Sequence, residues 1–331
     1  MKRFFAGLIL LLFIACKPSP KVLWKFQTGA PIYASPSIWR DSLIIGSNDH
    51  FLYSLDLNTG AVRWKRNMGE RILSKPLIQD DLIYIGTASG NFLALEPANG
   101  KERWNFRAGA TIQYDACGDQ DAAYFGSSDR YFYKISKKDG TKLWDFLSGH
   151  WYTGYCAFYK NLVLTSGWDG YDYALDRSNG TMAWKFGSGN FNYGGPQISG
   201  DRVYFGTHQS LFVLDGATGR KIYQQKTGYL KDSILSDGFL WTYDDGLSKR
   251  NLNGEKIAGI RLSSGSDTQP VAGNGFVIVC VDNELWGISH DMKVRWKWKG
   301  GDSFWSPGVI YKNVYYTGNR DSNVYAFRLP Q

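Results

Sequence analysis

The stretch ALDRSNGTMAWKF, residues 174–186, contains a short apolar segment, an Asn-Gly pair and a second short segment with a tryptophan. Closely similar stretches are SLDLNTGAVRWKR at residues 54–66 and ALEPANGKERWNF at residues 94–106. Asn-Gly between two β-prone segments is typical of a hairpin turn, because glycine adopts positive φ without steric cost. The chain therefore repeats a strand–turn–strand unit.

The repeat has a period of 40 residues over the first half of the chain. The tryptophan keeps this spacing at Trp24, Trp64, Trp104, Trp144 and Trp184. The turn glycine keeps it at Gly60, Gly100, Gly140 and Gly180. Farther along, Tyr223 takes the tryptophan position, residues 255–265 lack the aromatic residue, and Trp296 restores it.

Each unit contains four short β-prone segments separated by turns that are too short for helices. In the second unit they are RWKRNM, LSKPLIQ, LIYIGT and NFLALE. Four strands every 40 residues predict the blade of a β-propeller. Counting the tryptophan-type strands predicts an all-β fold with eight blades, and seven is the alternative if residues 223–292 hold only one. We expect the N-terminal strand to complete the last blade, since this closure leaves no free sheet edge.

The first residues have the features of an export signal. Lys2 and Arg3 precede an apolar stretch at residues 4–15, which is too short to span a bilayer, and Cys16 follows. This pattern resembles the lipobox of bacterial lipoproteins, in which the cysteine carries the lipid. The predicted organisation is a signal peptide at residues 1–15, a lipidated tether at 16–21 and one propeller domain at 22–329. The alternative is an ordinary signal peptide with an incidental cysteine.

Three further cysteines are Cys117, Cys156 and Cys280. An odd number argues against a disulfide framework. The alternatives are one Cys117–Cys156 bridge or three separate buried thiols, and the apolar segment FVIVCV favours a buried thiol for Cys280.

The repeated phrase, close to LDxxTGxxxW, resembles the repeat of the PQQ-type β-propellers. It stands here as SLDLNTGAVRW, ALEPANGKERW, ALDRSNGTMAW and, less regularly, VLDGATGRKIY. That family includes quinoprotein dehydrogenases and the BamB-like lipoproteins of the outer-membrane β-barrel assembly machinery. The resemblance covers residues 22–329 and implies the fold more strongly than the function, since one scaffold supports many activities.

Catalytic motifs do not stand out. The resemblance implies a Cys-Cys pair and a calcium site in quinoprotein dehydrogenases, and this chain has no adjacent cysteines. The four histidines have no acidic or cysteine partner at ligand or triad spacing. We therefore predict no enzyme activity, no cofactor, no metal and no nucleic-acid partner. The basic outer strands are typical of a solvated surface, although an attraction to an anionic membrane or an acidic partner stays open.

Two groups of aromatic residues differ in their regularity. The repeated tryptophans are expected to pack between blades, and they are Trp24, Trp64, Trp104, Trp144, Trp184 and Trp296. The irregular residues fall in the blade-to-blade connections and in the turns between second and third strands, which share one face of a propeller. Aromatic and arginine side chains on variable loops are typical of binding surfaces. The predicted partner-binding face contains Tyr33, Arg71, Arg130, Trp151, Tyr152, Trp168, Phe191, Tyr193, Tyr229, Lys231, Phe304 and Trp305.

The sequence thus predicts a monomeric scaffold that binds a protein or peptide partner in the bacterial cell envelope. We expect a lipid to anchor it to the outer membrane, with the propeller facing the periplasm. The alternatives are a PQQ-dependent periplasmic oxidoreductase and a carbohydrate-binding propeller.

Overall fold

The computed structural model describes residues 19–152, 154–189, 194–228, 230, 232–244, 246–263 and 268–330. These residues form 32 β-strands in eight antiparallel sheets of four strands each, arranged as the blades of a propeller. None of the described residues belongs to a helix that is long and apolar enough to cross a membrane. The prediction of an all-β, eight-bladed propeller is confirmed, and the seven-bladed alternative is wrong because residues 233–299 hold two complete blades.

The first four blades follow the chain in order from the inner strand to the outer strand. Blade 1 consists of β2 (Ser37–Trp39), β3 (Ser42–Gly46), β4 (Phe51–Asp56) and β5 (Val62–Asn67). Blade 2 consists of β6 (Leu77–Gln79), β7 (Leu82–Gly86), β8 (Asn91–Leu95) and β9 (Glu102–Arg107). Blade 3 consists of β10 (Cys117–Gly118), β11 (Ala122–Gly126), β12 (Tyr131–Ser136) and β13 (Lys142–Leu147). Blade 4 consists of β14 (Ala157–Tyr159), β15 (Leu162–Ser166), β16 (Tyr171–Asp176) and β17 (Met182–Gly187).

The next three blades repeat this order, and the eighth uses both ends of the chain. Blade 5 consists of β18 (Gln197–Ser199), β19 (Arg202–Gly206), β20 (Ser210–Asp215) and β21 (Lys221–Lys226). Blade 6 consists of β22 (Ser233–Ser236), β23 (Phe239–Tyr243), β24 (Gly246–Arg250) and β25 (Lys256–Arg261). Blade 7 consists of β26 (Val271–Gly273), β27 (Phe276–Val281), β28 (Glu284–Ser289) and β29 (Val294–Lys299). Blade 8 consists of β30 (Val309–Tyr311), β31 (Val314–Gly318), β32 (Asn323–Arg328) and β1 (Lys21–Gln27).

Ring closure depends on β1, which pairs with β32 from Lys21 opposite Arg328 to Gln27 opposite Asn323. The N-terminal strand therefore becomes the outer strand of the last blade. Closure pairs the outer edge of blade 8 with a strand from the other end of the chain, and it ties blade 8 to blade 1 covalently.

Neighbouring blades are joined by an indole that packs over a glycine turn. The Trp144 side chain of blade 3 packs on Gly180, in the turn between β16 and β17 of blade 4. The Trp144 Nε1–H donates to the Arg177 carbonyl in the same turn at 3.0 Å. The same donation, at 2.8–3.1 Å, occurs from Trp24 to Leu57, Trp64 to Pro97, Trp104 to Lys137 and Trp184 to Gly216. The hairpin glycine has positive φ and leaves room for the ring, so one residue both makes the turn and receives the indole of the preceding blade.

Trp296 departs from this arrangement. Its buried indole packs against Gly287 of its own blade, and its Nε1–H finds no acceptor among the described residues. The third and fourth strands of blade 8 are β32 and β1, the last and first strands in chain order, so no hairpin joins them. The turn that receives the indole in other blades is therefore interrupted.

The cysteines follow one of the two alternatives drawn from the sequence. Cys117 and Cys156 form a disulfide that joins β10 of blade 3 to the segment just before β14 of blade 4. Cys280 is buried as a free thiol in β27, and burial raises its pKa to about 12. The bridge is thus a local tie between the inner strands of two adjacent blades.

The indole–glycine contact predicts that alanine substitution destabilises the protein by different amounts at two glycines of nearly identical φ. Gly180 and Gly69 have φ of 76° and 77°, but a Cβ at Gly180 would lie 2.8 Å from Trp144 Cδ2, whereas none lies within 4 Å at Gly69. Alanine at either position costs about 1–2 kcal/mol for the left-handed backbone. Gly180→Ala should lower the free energy of unfolding by about a further 1–3 kcal/mol, measured by urea denaturation. Equal losses in the two variants would show that the indole does not depend on this turn.

The disulfide predicts a redox-dependent stability. Its two cysteines are separated by 39 residues, and closing a loop of this length in the unfolded chain is worth about 4 kcal/mol. Cys117→Ser should lose an amount of this order in oxidising buffer and should no longer respond to dithiothreitol. Cys280→Ser serves as the control and should keep the full response, so a wild-type protein whose denaturation is unchanged by reductant would contradict the bridge.

Candidate partner-binding face

The blade-to-blade connections and the turns between second and third strands lie together on one face of the ring. Main-chain hydrogen bonds join them in successive blades: Ser128 N donates to Thr111 O at 2.9 Å, and Trp168 N donates to Trp151 O at 2.7 Å. Arg320 N donates to Ser303 O at 3.1 Å in blade 8. We refer to this surface as the loop face, formed by the connections that begin near residues 28, 68, 108, 148, 188, 227, 262 and 300 and by these turns.

A repeated aspartate fixes the backbone of the loop face. Asp129 Oδ2 accepts the Gly109 N–H at 2.6 Å and the Tyr133 hydroxyl at 2.7 Å. Burial, followed by the bond to Asp129, raises the pKa of Tyr133 well above its usual value. This pair was not among the residues predicted from the sequence. Its signal is an aspartate four residues before a tyrosine, as at Asp49–Tyr53, Asp129–Tyr133, Asp169–Tyr173 and Asp321–Tyr325.

The most prominent feature of the loop face is a pair of stacked indoles in blade 4. The rings of Trp151 and Trp168 lie 5.6 Å apart with an interplanar angle of 12°, and the His150 ring contacts both. Trp151 is 46% exposed. The main-chain bond fixes the backbone of the two residues relative to each other, and the stacked rings form an aromatic surface in which Trp151 is exposed and Trp168 is half-buried.

A second aromatic pair lies on the same face, where blade 8 meets blade 1. Tyr33 and Trp305 have ring centroids 5.4 Å apart, and the Arg320 guanidinium lies 4.8 Å from the Trp305 ring centroid. Trp305 is 41% exposed. The remaining predicted cations in the described part of the chain, Arg71 and Arg130, are exposed as well.

Two residues that the sequence analysis assigned to this face are buried instead. Tyr152 and Phe304 are each 1% exposed, so their assignment to a binding surface is corrected. Tyr152 packs on Gly126, as Ile72 packs on Gly46 and Ile112 on Gly86, which shows that it anchors the connection. The missed signal is the 40-residue spacing of Ile32, Ile72, Ile112 and Tyr152. Phe191, Tyr193, Tyr229, Lys231 and Cys16 lie outside the described residues.

The central channel opens on the loop face as a polar cavity of about 540 Å³. Tyr155 is its central group: its hydroxyl donates to Asp232 Oδ1 at 3.0 Å and accepts from the side-chain amides of Gln197 at 2.9 Å and Gln269 at 2.6 Å. Asp115 lines the same cavity and accepts the Lys75 N–H at 2.8 Å.

Burial governs the ionisation of the channel carboxyls. It raises the pKa of Asp232 to about 7 and also raises the pKa of Asp115. The channel therefore offers hydrogen-bonding groups with few fixed charges. Among the described residues no three His, Cys, Asp or Glu side chains are grouped closely enough to hold a metal ion. This cavity was not predicted from the sequence. Its signal is one position of the 40-residue repeat, which is occupied by Ser35, Lys75, Asp115 and Tyr155.

Comparisons with known proteins agree with this geometry. A PQQ_2 family model described as outer membrane protein assembly factor BamB matches residues 16–124, 48–156 and 128–296. The chain is similar to the crystal structure of BamB from Moraxella catarrhalis, with 18% identity, a TM-score of 0.81 and coverage of 94% of this chain and 100% of that chain. It is also similar to the computationally designed Ika8 protein, with 13% identity, a TM-score of 0.81 and coverage of 92% and 98%. No curated protein sequence matches the chain.

The raised pKa of Asp232 predicts a pH-dependent stability. The carboxyl binds a proton up to about pH 7 in the folded protein but only up to about pH 4 in the unfolded chain. Folding therefore takes up a proton between these values, and this residue's contribution to stability falls as the pH rises from about 4 to 7. Asp232→Asn should gain free energy of unfolding relative to wild type across this window.

The control for this prediction is Asp139→Asn in the turn before β13. Hydrogen bonds from Thr141 lower the pKa of Asp139, so its contribution is present above pH 4 and is lost only at more acidic pH. Urea denaturation at several pH values between about 4 and 8 should give a constant difference for Asp139→Asn. A constant difference for Asp232→Asn as well would contradict the raised pKa.

Proposed function

Because the chain belongs to the PQQ_2 family of outer membrane protein assembly factor BamB, we propose that it is a non-catalytic scaffold that binds a protein or peptide partner during outer-membrane protein assembly. The observation that carries the proposal is the stacked pair on the loop face, in which Trp151 is exposed and Trp168 is half-buried. Trp305 with Arg320 supplies a second anchor on the same face. The proposed binding residues are these four together with Tyr33, Arg71 and Arg130. Phe191, Tyr193, Tyr229 and Lys231, which lie outside the described residues, belong to the same connections in the sequence.

The chemistry of this face suits a polypeptide partner. Tryptophan and arginine are the residue types that dominate binding energy at protein interfaces, because they bury large areas and combine apolar contact with hydrogen bonding. Trp151 and Trp168 are positioned by a main-chain hydrogen bond, and Trp305 lies beside Tyr33. Such pre-organised side chains lose little entropy on binding.

The proposal includes attachment to the membrane. In it, residues 1–15 are removed on export, Cys16 carries the lipid, residues 16–21 form a short tether, and residues 22–329 are a monomeric propeller. The outer membrane, with the ring in the periplasm, is the location that fits a family described as outer membrane assembly factors. The tether ends where β1 begins, at Lys21.

The decisive experiment is capture of the partner from detergent-solubilised membranes. The variant with Trp151→Ser, Trp168→Ser and Trp305→Ser should retain less than about a tenth of the partner captured by wild type, because each side chain has the character of an interface hot spot. Thermal denaturation of the variant checks that the ring stays folded. Co-purification is followed by quantitative mass spectrometry.

The matched control replaces three apolar residues of similar exposure on outer strands. Leu143, Met182 and Ile222 are 50%, 45% and 44% exposed, and serine at these positions should leave capture unchanged. If the tryptophan variant captures as much partner as this control, the loop face is not the binding surface.

A further inference from the structure

Besides the junction at Trp296, the junction between blades 6 and 7 also departs from the arrangement, because it lacks the aromatic side chain altogether. On the outer strand of blade 6, Ala258 occupies the register position that Trp184 and Tyr223 hold in blades 4 and 5. The turn of blade 7 that follows β28 is therefore not covered by an indole. A groove of about 880 Å³ opens there, and its apolar lining consists of Ile260, Phe276, Met292, Val294, Trp296 and Pro330.

The outer strands of blades 6, 7 and 8, of which β25 and β29 line the groove, carry positive charge only. The sequences of β25, β29 and β1 are KIAGIR, VRWKWK and KVLWKFQ, with seven lysines and arginines and no aspartate or glutamate. Arg295 pairs with Asp291, and Lys297 lies 3.2 Å from the centroid of the Trp286 ring. The other five have no ion pair with any described residue, and they are Lys21, Lys25, Lys256, Arg261 and Lys299. We call the exposed surface of β25, β29 and β1, with the groove, the basic rim.

The chain enters the ring at this rim. The Ser19 hydroxyl donates to the Lys297 carbonyl at 3.1 Å, which places the segment before β1 against β29. Cys16 is three residues before Ser19, and three extended residues span about 10 Å. A lipid on Cys16 would therefore hold the basic rim, and not the loop face, next to the bilayer.

We infer that the basic rim docks edge-on against a bilayer surface that contains anionic phospholipids. Its unpaired lysines and arginine would contact lipid phosphates, and the apolar groove would face the boundary between headgroups and acyl chains. The inference rests on the proposed lipid anchor for its geometry. Edge-on docking leaves the loop face open to a partner, because the strands of the rim lie on the outer circumference of the ring.

The test compares lysines within one molecule. The full chain is reconstituted in phosphatidylcholine vesicles with and without phosphatidylglycerol, and lysine reactivity is measured with a water-soluble amine reagent and mass spectrometry. Lys25, Lys256 and Lys299 should react several-fold more slowly when phosphatidylglycerol is present. The exposed lysines of blades 4 and 5 are the internal control, and Lys185, Lys221 and Lys226 should react at unchanged rates. Equal behaviour of the two sets overturns the inference.

Two charge-reversal variants with the same change in net charge sharpen the test. Lys25→Glu, Lys256→Glu and Lys299→Glu together should abolish the protection of Lys21 in phosphatidylglycerol vesicles, since each lysine near an anionic surface contributes about fivefold to binding. Lys185→Glu, Lys221→Glu and Lys226→Glu together should retain it. Loss of protection in both variants would indicate a non-specific effect of charge and would overturn the inference.

A separate measurement tests the lipid anchor, so that the results distinguish failure of the anchor from failure of the basic rim. Co-flotation with vesicles of phosphatidylcholine alone reports the lipid on Cys16, because the basic rim has no anionic partner there. If the chain does not float with these vesicles but floats with phosphatidylglycerol vesicles in a salt-sensitive manner, the anchor is refuted and the basic rim is supported. If it floats with both and Lys25, Lys256 and Lys299 stay reactive, the anchor stands and the basic rim is refuted.

Discussion

The ring depends on one interaction, the packing of an outer-strand aromatic side chain over the glycine turn of the next blade. Tryptophan supplies a large apolar surface and one N–H donor, and glycine supplies a turn with positive φ and no Cβ. In the Trp144–Gly180 junction these features meet, because the indole covers the glycine and donates to the carbonyl of Arg177. The donor and the acceptor are separated by 33 residues, so each junction forms between neighbouring blades only.

A contact that joins only neighbours lets the rest of each blade vary. Buried contacts hold the backbone of the loop face in place, such as the hydrogen bond between Tyr133 and Asp129 and the packing of Ile112 on Gly86. The exposed side chains of the connections are therefore not needed to hold the fold and can differ from blade to blade. This separation explains how one blade presents the stacked Trp151 and Trp168 while its neighbours, with the same backbone hydrogen bonds, present other side chains.

The same principle accounts for the irregular side of the ring. Blade 6 has Ala258 in place of the aromatic residue, and the hairpin after β32 is interrupted by the chain ends. Both departures fall beside β29, where the groove and the positive charge are found. Without the indole–glycine contact, the outer strands at this point need not supply a tryptophan. Their charged residues are all lysine or arginine.

The sequence by itself determined the periodic part of this protein, because residues that repeat every 40 positions must occupy equivalent places in equivalent units. The predictions of eight blades and of closure by the first strand followed from that spacing, but residues 223–292 allowed one blade or two, and the structure shows two. Whether an irregular residue is exposed could not be predicted in the same way. Trp151 and Tyr152 are adjacent, yet one is 46% and the other 1% exposed, because alternate side chains of the connection point to opposite sides. The channel around Tyr155 and the Cys117–Cys156 bridge combine residues of different blades, and only the curvature of the closed ring brings them within bonding distance.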